Sequence, residues 1–320
     1  MIKQHHESNK KLVENDVIIE DNPNLFKGAW VEVTSPTPQE IEWLQAKLNV
    51  PTEFFTSALD EEETAHIDTE EGAKLIVLDV PLYDPNKNTK NEYTTTPFAI
   101  IHTEDYFITV SAKEIYFVKE FFQKNKKIEP HKIVRLTLQF LYRLATNYIT
   151  ILKKIDAQTK QIEKELHNSM RNKELFDLME LNKSLVYFST SLNSNKVVVH
   201  KLTRSPEFKK YEEDFDLIED TEIEFNQAIE MCSIYRDILA GMMDAFASVI
   251  SNNLNIVMKV LAVITIVLSI PTLVASFYGM NFTYMPLADH QAGFYIAVIG
   301  SFLLSIVGAW VLVKFTNKIK

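Results

Sequence analysis

The residues best placed to do chemistry are Tyr278-Gly279-Met280-Asn281-Phe282, which lie in the short link between two long apolar stretches near the C-terminus. Asn281 carries a neutral amide, whose oxygen accepts hydrogen bonds without bringing a charge. Upstream, Met258, Ala262, Thr265, Ser269, Thr272 and Ser276 recur at alternating steps of four and three, which puts them on one face of a helix. A stripe of small and hydroxylated side chains in a membrane has two uses, close helix packing or the lining of a watery pore. Asn255 below the stripe and Asn281 above it favour the lining. No catalytic constellation accompanies these residues. The eight histidines, at 5, 6, 66, 102, 131, 167, 200 and 290, form no pair at metal-ligand helical spacing, and His5 and His6 are expected in an unstructured tail. Cys232 is the only cysteine, which excludes an intramolecular disulfide and a cysteine-rich metal site.

The elements that must position these residues follow from charge and periodicity. Val260 to Ala288 and His290 to Val313 are free of Asp, Glu, Lys and Arg. Each is long enough to cross a hydrocarbon core of about 30 Å, which takes roughly 20 apolar residues. Lys259 precedes the first span, Lys314, Lys318 and Lys320 follow or end the second, and the link has neither Lys nor Arg, so both termini are expected on the cytoplasmic side. Strands are predicted at Ala29 to Val33, Lys74 to Leu82, Phe98 to His102 and Tyr106 to Ser111. Helices are predicted to open at Thr37-Pro38-Gln39-Glu40 and at Pro51-Thr52-Glu53. Asp84-Pro85-Asn86 reads as a turn. From His131 to His200 there is no Gly or Pro, and Leu141, Leu144, Tyr148, Ile151, Ile155 and Ile162 keep helical intervals, with a break expected near Asn168. A third long helix is expected to start at Ser205-Pro206-Glu207 and to continue into the first span. Its apolar set Ile223, Ala228, Met231, Ile234, Ile238 and Met242 calls for burial against the preceding helices or against further copies of the chain.

The expected fold class is an α+β membrane protein. Its parts are a polar N-terminal tail (1–26), a cytoplasmic α/β domain (27–129), long cytoplasmic helices (130–204), a stalk helix continuous with the first span (205–278), an external link (279–292), a second span (293–314) and a basic tail (315–320). No apolar leader is visible ahead of the α/β domain, which is therefore expected to stay in the cytoplasm. Only seven glycines occur in 320 residues, which argues against a phosphate-cradling loop and for long helices. A net charge of −10 argues against nucleic acid as a partner, because binding to phosphates needs clustered Lys and Arg. Eight carboxylates crowd the stretch from Glu212 to Glu224, a run that reads first as a solvated face.

Val257-Met258-Lys259-Val260-Leu261, Pro271 in the same predicted helix, Tyr278-Gly279-Met280-Asn281-Phe282 and Met285-Pro286, in that order, resemble the C-terminal part of CorA-type magnesium channels. The likeness extends upstream through Tyr235-Arg236-Asp237-Ile238 and Asp244 and, more loosely, through the N-terminal half. It implies a homopentamer with a funnel-shaped cytoplasmic part in the cell membrane, taking up Mg²⁺, and also Co²⁺ or Ni²⁺, along the membrane potential. It places Gly279, Met280 and Asn281 at the ion's mouth, Asp244 and Asn255 along the inner path, and Met258 and Leu261 at an apolar constriction; Thr265, Ser269 and Thr272 then complete the lining. Asp220 corresponds to an acid that binds regulatory Mg²⁺ between subunits, and Asp84 to its looser counterpart. The resemblance therefore implies Mg²⁺ as substrate and regulatory ligand, no organic cofactor and no enzymatic activity. Mg²⁺ holds its waters tightly, and a ring of amide oxygens can bind those waters without stripping them. Gly279 is expected to permit the sharp turn that ends the helix. Many family members carry an acid just after the Met-Pro pair, whereas here Leu287-Ala288-Asp289 follows, a shifted position. Two competing readings are a Zn²⁺ transporter of the same superfamily and a membrane-tethered scaffold that transports nothing. Oxygen-only ligands favour Mg²⁺.

Overall fold

Short runs of β-branched and aromatic residues build a seven-stranded sheet in the N-terminal part of the chain. Its strands are β1 (Ile2–Ser8), β2 (Lys11–Val17), β3 (Trp30–Thr34), β4 (His66–Glu70), β5 (Ala73–Tyr83), β6 (Tyr93–His102) and β7 (Phe107–Ser111), in the order β2-β1-β3-β7-β6-β5-β4. Only β3 and β7 run parallel; every other neighbouring pair is antiparallel. The structure, a computed structural model, describes residues 1–8, 11–21, 23–83, 93–124, 128–169, 172–281, 286 and 292–318. The turn expected at Asp84-Pro85-Asn86 and the acid Asp289 lie outside the described residues.

The sheet is buried on both faces, so its inner strands read as nearly continuous apolar runs. One face packs against α1 (Pro38–Leu48) and α2 (Thr52–Thr56), with Val31, Val33, Leu75 and Val77 meeting Leu44, Phe54 and Phe55. α1 starts as its sequence predicts. Thr37 Oγ1 accepts from the Glu40 N–H at 3.2 Å while Glu40 accepts from the Thr37 N–H at 2.7 Å, a reciprocal cap. The other face carries Trp30, Phe98 and Phe107, which meet Phe121 of α3 (Tyr116–Lys124) and Phe140 of α4 (Ile133–Ser169). β4 and β5 join through Glu71 and Gly72, both with positive φ, a two-residue hairpin of the twist-matching kind.

α4 and α5 (Asn172–Arg204) are the two long helices; α4 continues through Asn168 to Ser169, and residues 170–171, next to the expected break, lie outside the described residues. α5 is fastened to the sheet by polar bonds. Ser184 Oγ donates to the Tyr93 carbonyl at 2.9 Å, and the Asn195 amide both donates to the Asp79 carbonyl at 2.7 Å and accepts from the Asp79 N–H at 2.8 Å. Asp79 lies opposite Pro97, which has no N–H to give, and Tyr148 Oη adds a second donor to the same carbonyl at 2.9 Å.

Three expectations are corrected here. The stretch 1–26 is not a tail: β1 and β2 extend the sheet, and His5, almost fully buried, stacks on Trp30 at 4.3 Å with Nε2 2.9 Å from Glu32 Oε2. His6 stacks on Phe26 at 4.2 Å. The third long helix does not begin at Ser205. Ser205 Oγ instead donates to the Leu202 carbonyl at 2.9 Å, closing the end of α5, and a turn with buried Phe208 intervenes. Asp214 is buried beside Arg135 at 2.8 Å, and α6 (Phe215–Tyr278) starts one residue later.

The chain divides into two units, Met1–Met243 and Asp244–Lys320, with α6 contributing to both. In the first unit α6 buries Thr221, Phe225, Ala228, Cys232 and Leu239, a face at helical spacing, and Cys232 Sγ lies 3.4 Å from the Leu185 carbonyl of α5. Ile223, Ile234 and Ile238, members of the apolar set read from sequence, stay exposed.

The second unit pairs the end of α6 with α7 (Gly293–Lys318). Both helices are long and apolar enough to cross a membrane. Gly308 of α7 leaves room for Ile270, whose Cδ1 sits 3.4 Å from where a Cβ would stand, and Ser301 and Ser305 are buried along the same side. Their hydroxyls donate to the Val298 and Ser301 carbonyls at 2.7 and 2.8 Å, so small residues bring the helices close without stranding a donor.

Candidate functional site

α6 ends in a tightening turn. The Gly279 N–H is shared between the Ala275 and Ser276 carbonyls at 3.0 and 3.2 Å, and the Met280 N–H reaches the Phe277 carbonyl at 3.2 Å. Such three-residue closures are a common way to satisfy the last carbonyls of a helix. The turn at Gly279 is made without a left-handed backbone, since the glycines with positive φ among the described residues are Gly28 and Gly72. A Cβ at Gly279 would instead stand 3.4 Å from the Ala275 carbonyl oxygen and 3.5 Å from that of Ser276. Beyond the turn Asn281 is exposed, and among the described residues its amide has no hydrogen-bond partner. Tyr278 Oη donates to the Pro286 carbonyl at 3.0 Å, tying the link back to the helix end. The sequence reading missed this bond; the aromatic ahead of the glycine and the proline eight residues on were its only signal.

Along α6, Asn255, Met258, Leu261, Thr265, Ser269 and Thr272 are all exposed in the single chain, and the stripe continues through Ser276. Its hydroxyl hydrogens are directed at the helix itself. Thr265 Oγ1 donates to the Leu261 carbonyl at 2.9 Å, Ser269 Oγ to Ile266 at 2.8 Å and Thr272 Oγ1 to Leu268 at 3.0 Å. A hydroxyl so engaged keeps its lone pairs outward and acts on its surroundings as an acceptor. Leu268, Ser269, Thr272, Leu273 and Ser276 line an open groove of about 540 Å³. The stripe is thus a row of neutral acceptors, suited to the hydrogens of water held by a cation.

The acidic residues do not converge. Asp244 is exposed on α6 in the second unit, and Asp220 is exposed on α6 in the first with no ion pair among the described residues. Asp84 lies outside the described residues. No group of three or more His, Cys, Asp or Glu side chains comes together to hold a metal among the described residues. Among the described residues neither Asp220 nor Asp244 therefore belongs to a group of three metal-ligating side chains, and a hard divalent ion wants several oxygens.

Residues 27–316 match the family described as CorA-like Mg²⁺ transporter protein. Cobalt/magnesium transport protein CorA of Methanocaldococcus jannaschii is 27% identical over 278 residues, which cover 85% of this chain and 86% of that protein. Magnesium transport protein CorA of Helicobacter pylori is 24% identical over 304 residues, covering 89% and 88%. The complete structure of the CorA magnesium transporter from M. jannaschii shares the fold, with a TM-score of 0.79, 24% sequence identity and coverage of 98% of this chain and 96% of that one.

Proposed function

Since this chain belongs to the CorA-like Mg²⁺ transporter family, we propose that it is a membrane channel that conducts hydrated Mg²⁺, with Co²⁺ and Ni²⁺ as further substrates, into the cytoplasm. The observation that carries this reading is the run of outward acceptors on α6, leading from Asn255 to an Asn281 whose amide has no hydrogen-bond partner among the described residues. Repeated about a symmetry axis, Asn281 binds the waters of the ion at the mouth. Thr265, Ser269 and Thr272 pass the ion inward, and Met258 and Leu261 form an apolar ring that closes the path by excluding water. Asn255 and Asp244 receive the ion on the inner side. The spans leave most of their surface uncovered and no three metal-ligating side chains gather among the described residues, which supports an oligomer as the working unit, taken here to be a homopentamer with both termini in the cytoplasm.

A divalent ion gains about 4.6 kcal/mol per 100 mV of inside-negative potential, twice the single-charge value, which is sufficient driving force for uptake. Cytoplasmic Mg²⁺ bound by Asp220 and Asp84 between subunits acts as the closing signal. The test is uptake by the purified protein in liposomes loaded with a Mg²⁺-sensitive dye under an inside-negative potential. The parent fills the liposomes, and Asn281→Ala abolishes uptake while leaving the assembly size unchanged. Undiminished flux through Asn281→Ala removes the selectivity role, and no flux through the parent removes the channel.

A further inference from the structure

Beside the Gly279 turn, the ends of α6 and α7 enclose a hollow of about 610 Å³. This lies within the range of roughly 300–1,000 Å³ usual for ligand cavities. Pro271, Val274 and Ala275 supply one wall and Gly293, Ala297 and Val298 the other. The two hydroxyls at its edge are already engaged, Tyr278 with the Pro286 carbonyl and Ser301 with the Val298 carbonyl. Among the described residues an occupant therefore finds apolar surface and no unsatisfied polar side chain, which suits a hydrocarbon.

The direction of the hollow identifies where that hydrocarbon comes from. At about 100° per residue, the α6 residues that line it, Pro271, Val274, Ala275 and Tyr278, centre roughly 140° away from the stripe of Thr265, Ser269, Thr272 and Ser276. Resting on the pore reading above, a stripe turned toward the axis turns the hollow toward the bilayer. Phe294 and Phe302 at its rim are exposed, as lipid-facing aromatics are. We propose that this hollow holds one acyl chain of a membrane phospholipid, wedged against the helix end that carries Gly279 and Asn281.

The experiment reconstitutes the full-length protein with phosphatidylglycerol bearing a diazirine midway along one acyl chain, irradiates it and maps adducts by mass spectrometry. Adducts at Val274–Ala275 and Ala297–Val298 are expected to exceed those at Val307 and Val311, exposed α7 residues remote from the hollow, several-fold. Ala297→Leu, which fills the space, is expected to cut the hollow's adducts several-fold and leave those at Val307 unchanged. Should that variant fail to assemble, excess unlabelled phosphatidylglycerol must compete more effectively at Ala297 than at Val307 in the parent. Equal labelling and equal competition at all four positions means ordinary bilayer contact and overturns the proposal. So does an inter-subunit disulfide formed in high yield from Ala297→Cys, which would put a neighbouring chain in the hollow. Water-borne labelling of Ser269→Cys and Thr272→Cys separates the two readings. Reactive cysteines with an unlabelled hollow retain the pore and reject the lipid, and a labelled hollow with unreactive cysteines does the reverse.

Discussion

Asp79 and His102 are two titratable side chains of the sheet held away from their usual protonation behaviour, in opposite directions. Burial raises the Asp79 carboxyl to about 6, against a weaker opposing pull from a hydrogen bond with Ser191. Burial first, and then Lys74, lowers His102 to about 3, and its Nε2 lies 2.7 Å from Thr137 Oγ1. For Asp79 the folded state binds the proton more tightly than the unfolded chain, so its contribution to stability is present at low pH and is lost as pH rises through about 6. For His102 the folded state rejects the proton, so stability is lost as pH falls from the ordinary histidine range toward about 3. The two slopes partly cancel in the parent. Comparing Asp79→Asn with the parent leaves His102 in both and isolates the carboxyl. The variant is expected to be more stable at pH 7.5 by about 1–2 kcal/mol, less than the full ~1.4 kcal/mol per pKa unit because the half-buried site is partly screened. That advantage should shrink steadily between pH 6 and 4 in thermal melts of the full-length protein. An advantage that does not change with pH shows that the carboxyl titrates in the folded state as it does in the unfolded chain. At this scale the candidate residues Asn281 and the hydroxyl stripe were legible as residue types and Asp84 and Asp220 only through the resemblance, whereas the burial of His5 and Asp79 depends on strands and helices far away in the chain.

Elements were legible where one signal governed them and illegible where tertiary contacts did. β3, β5, β6 and β7 are buried on both faces and announce themselves as apolar runs, and α1 is marked by its reciprocal Thr37–Glu40 cap. β1, β2 and β4 escaped because β2 and β4 are the edge strands, β1 lies beside one, and all three are rich in polar residues, so composition resembles that of a tail or loop. The start of α6 was misplaced because Ser205-Pro206 carries a start signal whose hydroxyl is spent on the end of α5. The long α6 itself was legible: 64 residues that end just before Gly279, interrupted only by Gly241 and Pro271. Its membrane part gives the next prediction. In a single chain Ser269, Thr272, Ile266 and Leu273 are all exposed, so exposure alone does not say which of them meets water. In a pore formed around the stripe, Ser269→Cys and Thr272→Cys in a Cys232→Ser background should react with a membrane-impermeant thiol reagent about tenfold faster than Ile266→Cys and Leu273→Cys, since a thiol reacts as the hydrated thiolate. Equal rates at the four positions identify the stripe as a packing surface.

For the whole molecule, the most telling property is what one chain leaves undone. Among the described residues the two spans leave most of their surface uncovered, Ile223, Ile234 and Ile238 stay exposed on α6, and no three metal-ligating side chains gather, which leaves room for the proposed oligomer to complete them. The proposed regulation by cytoplasmic Mg²⁺ would use that incompleteness. Carboxylates brought near each other across a subunit boundary repel when partly desolvated, and a divalent ion between them reverses the sign of the interaction. A ligand shifts an equilibrium only through its differential affinity for the two states, so the site must be well formed in the closed assembly and poorly formed in the open one. Asp220→Asn removes half of the charge that draws the ion while keeping size and hydrogen-bonding capacity. The variant is expected to need about tenfold more internal Mg²⁺ to shut, within the roughly 5–150-fold span of ordinary allosteric couplings. Mg²⁺ should also protect it less than the parent from proteolysis, because the ion no longer holds the subunits closed. Glu224→Gln, which takes the same charge from the same helix, separates a specific site from a general field: it should leave both the inhibitory concentration and the protection where they are in the parent. If Asp220→Asn closes and is protected as the parent is, the sensor lies elsewhere and conduction through Asn281 stands unaffected. If the two variants shift alike, the crowded carboxylates from Glu212 to Glu224 act as a diffuse field rather than through a site.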